Sequence, residues 1–209
     1  MRVRLLILLS SLLLAGCGDR STPSADALTP SSALPAASTS AKPVAVQHLP
    51  KGTALGTFLP YSAGSTAITY DTAVVPPGAT ARLAIARSAG SVTVRLAVTG
   101  LIPRRAYGAH LHTGTCAALP DAAGPHYQHD ADPTKPSVDP SYANPENEVW
   151  LDFTADSTGR AVATSAERWT FDEQRPPRSL ILHAQLTRTK KGVAGMAGPR
   201  VACLTLPPT

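Results

Sequence analysis

The sequence predicts an all-β sandwich or barrel with one long loop set into it, and three observations carry that expectation. Short apolar segments recur, divided by glycine and proline; one of them alternates cleanly; and no long amphipathic helical stretch competes with them. The β-type segments are 67–74, 79–87, 91–99, 105–112, 149–154, 160–164, 180–185 and 200–206. In 91–99, Val92, Val94, Leu96 and Val98 fall on one face, and Thr93, Arg95, Ala97 and Thr99 fall on the other. Pro76-Pro77-Gly78 and Ala89-Gly90 are turn signals between antiparallel strands. From Thr113 to about Asn147 the regular spacing stops, and a loop that long inside a compact domain is usually functional.

Ahead of these segments the chain is of two other kinds. Met1-Arg2-Val3-Arg4 followed by a leucine-rich run reads as a secretory signal, too short to span a bilayer comfortably. Leu14-Ala15-Gly16-Cys17 resembles a bacterial lipobox, in which the cysteine carries lipid and becomes the mature N-terminus; ordinary cleavage near Ala15 is the alternative. The expected organisation is therefore a lipoprotein signal peptide over 1–16, a disordered tether over 17–43 and one β domain over 44–209. The tether is dominated by Ser, Thr, Ala and Pro and cannot bury enough apolar surface to offset its ordering entropy. The expected location is the extracytoplasmic face of the cell membrane, held through a lipid on Cys17.

Charge points to no polyanionic partner. The 209 residues carry 19 basic and 14 acidic side chains, and loss of Arg2 and Arg4 with the signal lowers the net charge from +5 to +3. No basic run interleaved with aromatics is present, so nucleic acid is not expected as a partner. No Gly-x-Ser-x-Gly setting or phosphate-cradling glycine loop appears either. With Cys17 assigned to the anchor, Cys116 and Cys203 remain as candidates for a bridge in an oxidising compartment, against the alternative of two buried free thiols. Closing a loop of that span stabilises a domain by roughly 4 kcal/mol in the chain-entropy model.

The chemistry-bearing residues gather around Tyr107-Gly108-Ala109-His110-Leu111-His112-Thr113-Gly114-Thr115-Cys116. On a strand, His110 and His112 project from the same face about 7 Å apart, within reach of one metal ion. Downstream follow Gly124-Pro125-His126 in the long loop, Leu182-His183-Ala184 in an apolar strand, Asp156-Ser157-Thr158-Gly159 at a turn, and Arg200-Val201-Ala202-Cys203 in the last strand. This ordered set resembles the copper/zinc superoxide dismutase family over roughly residues 107–206.

The resemblance implies a Greek-key β-sandwich or barrel and a copper centre held by His110, His112, His126 and His183. In the same resemblance His126 also carries a proton, Arg200 attracts the anion beside the open coordination position, and Cys116 pairs with Cys203. The implied substrate is superoxide, converted to oxygen and hydrogen peroxide. The family's zinc set is not matched: between His126 and the Asp156 turn stand only His129, too close to match the usual second ligand, and Glu146-Asn147-Glu148. Copper without zinc is therefore expected, as in copper-only members, where a carboxylate can orient the former bridging histidine. Glu148 is the candidate for that role, with a solvated loop acid as the alternative. His129 is either a spare ligand or a surface histidine, and His48, near the tether, receives no role.

Imidazole nitrogens suit Cu(II) and also zinc, but disproportionation needs a metal that changes oxidation state, which zinc does not. The resemblance makes 186–199 a shortened form of the family's charged guiding loop that keeps Arg188, Lys190 and Lys191, with Lys190 and Lys191 read either as a solvated loop or as steering cations. The rival expectation is a lipid-anchored copper carrier or buffer without turnover.

Overall fold

A computed structural model describes residues 52–208. The expected signal peptide, tether, Cys17, His48 and the start of the β domain at residue 44 lie outside the described residues.

Among the described residues, nine strands form two antiparallel sheets. The first contains β1 (Thr53–Thr57), β3 (Thr80–Ser88), β4 (Ser91–Thr99) and β7 (Ala161–Glu167), in the order β1-β3-β4-β7. The second contains β2 (Ala67–Thr69), β9 (Arg200–Thr205), β8 (Ser179–His183), β5 (Ala106–His112) and β6 (Phe153–Thr154), in the order β2-β9-β8-β5-β6. β7 returns from the second sheet to lie beside β4, and β8 pairs with β5 across 66 intervening residues of chain, both connections of the Greek-key kind. The fold is thus the expected all-β sandwich. Among the described residues the helical content is one short 3-10 turn, Pro120–Ala123, and no helix is long and apolar enough to cross a membrane.

The core lies between the sheets. Val92, Val94, Leu96 and Val98 point in from β4 and meet Ala109, Leu111, Leu180, Leu182, Ala202 and Leu204 from the second sheet, all in one buried cluster. Each of the valine and leucine side chains contributes roughly 1.5–3 kcal/mol when fully buried. The β3-β4 hairpin closes where expected: Ser88 pairs with Ser91, and Gly90 adopts a φ of 72° that favours glycine.

Three segments differ from the sequence expectation. β1 was not expected, because Thr-Ala-Leu-Gly-Thr lacks alternation; its Gly56 sits where a Cβ would press on Ala67 and on Leu204 Cδ1. The segment expected to run over 67–74 ends as a strand at Thr69, since the chain then turns on Asp71, whose side chain accepts the Ala73 N–H and whose carbonyl accepts Val75 N–H at 2.8 Å. The segment 149–154 forms ladder only at β6, because the Asp152 carboxylate takes the Ala109 N–H, at 3.1 Å, that a neighbouring strand would otherwise accept.

Outward from the second sheet, the long loop after β5 lies back over β5, β8 and β9. Its anchors are the Cys116–Cys203 disulfide, Ser179 Oγ donating to Gly114 O at 2.7 Å, and the packing of Ala123 with Ile181 and Cys203. The expected pairing of the two cysteines is present.

Candidate metal centre

Period-two geometry puts His110 and His112 on the outer face of β5, with ring centroids 6.5 Å apart. β8 is hydrogen-bonded to β5 with Gly108 opposite His183, so the third imidazole arrives on the same face. The loop supplies the fourth: an isolated bridge pairs His126 with His112. The four rings offer nitrogens that all lie within 4.8 Å of one another. His110 and His112 are fully buried, His183 is nearly so, and His126 alone is partly open to solvent.

The hydrogen bonds at the outer nitrogens decide where the protons sit. His112 Nδ1 faces Gly124 O at 2.9 Å, and His183 Nδ1 faces Gly198 O at 3.1 Å. A carbonyl only accepts, so both Nδ1 atoms carry hydrogen and both Nε2 atoms are bare lone pairs. Those two Nε2 atoms nevertheless face each other at 3.4 Å. His126 Nδ1 lies 2.7 Å from Glu148 Oε2 and donates its hydrogen to that carboxylate. His110 makes its contact through Nε2, 2.6 Å from Thr187 Oγ1, while its Nδ1 is buried with no partner. Four imidazole nitrogens thus converge, with the bare Nε2 atoms of His112 and His183 face to face, an arrangement that a cation satisfies. The donor set fits a nitrogen-preferring metal such as copper.

Burial gives the same sense to their basicity. It holds His110 and His112 well below the usual imidazole value and His183 at about 4, with His126 adding to the effect at all three and Arg200 adding at His112 and His183. Protons therefore compete weakly for the metal-facing nitrogens near neutrality.

Glu148 is 1% exposed and uses both carboxylate oxygens. Oε2 accepts from His126 Nδ1 and from Trp150 Nε1 at 2.7 Å, and Oε1 accepts from Gln128 Nε2 at 2.8 Å. Gln128 also reaches Ser137 Oγ at 2.8 Å, and Ser137 Oγ donates to Asp132 Oδ2 at 2.7 Å. Protein hydrogen bonds therefore hold the loop in the stretch that offered no matched zinc set. His129 lies outside the four-histidine group, exposed and stacked on Trp169 with centroids 5.0 Å apart.

Arg200 is placed at the edge of the same site. Its guanidinium donates to Pro120 O at 2.9 Å and to Gly124 O at 2.7 Å, the carbonyl that also fixes His112. Partial burial lowers its pKa from the ordinary arginine value, and the side chain keeps its positive charge. A cleft of about 870 Å³ opens here, lined among others by His126, His183, Glu148, Lys135, Met196 and Arg200. Arg188, Lys190 and Lys191, the expected steering cations, are exposed but are not among the residues lining the cleft; Lys135 is, and no sequence motif singled it out. Thr187 and Asp152 were likewise missed, since neither stands in a motif and both reach His110 only through the fold.

No family model matches the sequence, and no curated protein matches it. Among solved structures, the chain is similar to Cu/Zn superoxide dismutase from Brucella abortus, at 21% sequence identity, over 61% of this chain and 88% of that chain, with a TM-score of 0.44.

Proposed function

We propose that this protein is an extracytoplasmic, copper-dependent superoxide dismutase, tethered to the membrane by lipid on Cys17. The observation that carries the reading is the convergence of four imidazole nitrogens beside a cleft that also presents the Arg200 guanidinium. The motif resemblance supports superoxide as substrate. The overall reaction takes two superoxide anions and two protons to one oxygen and one hydrogen peroxide. Bound copper supplies one-electron cycling, which zinc does not.

The chain's own residues supply binding and protons. Arg200 holds a small anion by charge and hydrogen bonds at the cleft, its orientation set by Pro120 O and Gly124 O. His126, the most open of the four imidazoles, is the residue whose Nε2 takes a proton from solvent and passes it to the reduced product. Glu148 keeps the other His126 proton on Nδ1 through the 2.7 Å contact and so holds the ring's orientation.

Copper loading followed by a superoxide-consumption assay tests this. The wild type should bind about one copper per chain, the number set by one four-nitrogen group, and turn over superoxide. Arg200→Ala should keep copper, lose much of the rate and show a flatter ionic-strength dependence. Copper-loaded wild type without turnover would point instead to a carrier or buffer. For the tether, Cys17→Ser should move the protein out of the membrane fraction, and failure of labelled lipid to reach Cys17 would refute anchoring.

A further inference from the structure

The segment between β8 and β9 carries a soft donor atom that the four-histidine group does not use. Two glycines bracket it. A Cβ at Gly195 would lie 3.8 Å from His126 Nδ1 and 3.9 Å from Glu148 Oε2, and Gly198 O accepts from His183 Nδ1. Met196 stands between them in the chain. Its backbone is fixed on both sides, the N–H donating to Val193 O at 3.1 Å and the carbonyl accepting from Arg188 N–H at 2.9 Å. Its side chain is 47% exposed and lines the cleft together with His126, His183 and Arg200. A singly exposed methionine is ordinary on a protein surface. This one belongs to the cleft wall, one residue from the backbone that packs on His126, the most open of the four rings.

The charge of the cleft gives a neutral sulfur something to do. Lys135 and Arg200 line the cleft, and its one acid, Glu148, is enclosed with both oxygens already accepting hydrogen bonds. A metal ion arriving from solvent therefore meets positive charge. Coulomb energy scales with the charge on the ion, so a divalent ion is opposed more strongly than a monovalent one at the same place. Thioether sulfur is uncharged, polarizable and suited to Cu(I). Among the described residues no free thiol competes with it, because Cys116 and Cys203 are bonded to each other.

We propose that Met196 is an entry ligand for copper, whose thioether takes Cu(I) at the mouth of the cleft and hands it through His126 to the four-histidine group. The transfer is ligand exchange with no change of oxidation state. A copper–sulfur bond forms as the bond to the copper donor breaks, and it breaks in turn as copper–nitrogen bonds form. The inference rests on the copper-site reading above and adds the route by which the metal arrives.

Met196→Leu keeps the size and apolarity of the side chain and removes the sulfur. In stopped-flow transfer of Cu(I) from its bicinchoninate complex to apo protein, this variant should be about tenfold slower than wild type, which is about 1.4 kcal/mol in the barrier. Its uptake of Cu(II) from aqueous salt and its final copper affinity should match wild type, since all four histidines are intact. Ag(I), a redox-inert stand-in for Cu(I), gives a direct readout. Met1 and Met196 are the only methionines of the sequence, so methyl-¹³C labelling identifies the Met196 signal by its absence from the leucine variant. Substoichiometric Ag(I) should shift that signal in wild type. A leucine variant with the wild-type Cu(I) rate, or a methyl signal that Ag(I) leaves unmoved, overturns the inference. Equal slowing of Cu(I) and Cu(II) uptake also overturns it, by showing a purely structural role. Apo wild type that takes up neither form of copper overturns the copper-site reading itself, a pattern distinct from copper bound at an unaltered rate.

Discussion

The two sheets of this sandwich share one core and differ in what lies on their outer faces. On the first sheet, Thr93 and Arg95 of β4 point outward and are exposed, while Val92, Val94, Leu96 and Val98 are buried. On the second, all five residues of β8, Ser179 to His183, are buried, because the long loop covers the outer face. A face left to water needs only polar tolerance. A covered face can hold neutral imidazoles and an enclosed carboxylate, which water would otherwise protonate, solvate or screen. The chemistry sits on the covered face, and the cover is what three predictions address.

The largest expected effect comes from unfastening it. Cys116 and Cys203 are 87 residues apart in sequence, and replacing both by serine should cost about 2–5 kcal/mol of stability. The loss should be uneven: amide exchange should rise most in the loop around Gly124 and His126 and least in β3 and β4. Copper affinity should fall with it, since His126 rides on that loop. Equal exchange gains in both sheets would show that the cover is not a separate element.

Acid should find the same face next. In the folded apo protein burial holds His183 at about 4, against about 6.5 in an unfolded chain. The folded pKa is the lower one, so between these values the unfolded chain binds more protons and stability falls as pH falls. The contribution is complete above about pH 6.5 and is lost progressively down to about pH 4, about 3 kcal/mol from His183 alone. His110 and His112 act in the same direction. Chemical denaturation of apo protein at pH 7 and pH 4.5 measures this, and bound copper should steepen the fall, because protons then also displace the metal. A flat profile across that window would mean that these rings are not held neutral.

The same contrast explains what could be read in the sequence. β4 was legible at both ends because a half-exposed strand writes its burial as alternation. The His110-Leu111-His112 spacing was legible for the same period-two reason, and the cluster needed only β8 and the loop to complete it. β1 was not legible: Leu55 is exposed while Ala54 and Thr53 are buried, so its pattern follows neighbours rather than hydrophobicity. The outer partners of the histidines were mostly hidden too. Gly124 and Gly198 act through backbone carbonyls, which carry no side-chain signal, and Thr187 and Asp152 are 35 residues apart.

The smallest effect is a matched pair of single substitutions that isolates the cover from the strands beneath it. Arg95 and Ile181 both point outward from interior strands of their sheets, β4 and β8, and both can be replaced by threonine, a residue strands accept. Arg95 is exposed, so Arg95→Thr should change stability by no more than about 0.5 kcal/mol. Ile181 is fully buried under the loop with Ala123 and Cys203, and Ile181→Thr removes apolar contact there and introduces a hydroxyl into an apolar cluster. That change should cost about 1–3 kcal/mol, the range for a buried polar group without a dedicated partner. The two costs are read from urea midpoints with unchanged slope. If they prove equal, the loop is not packed on β8 in solution, and enclosure of the histidine site would have to come from elsewhere.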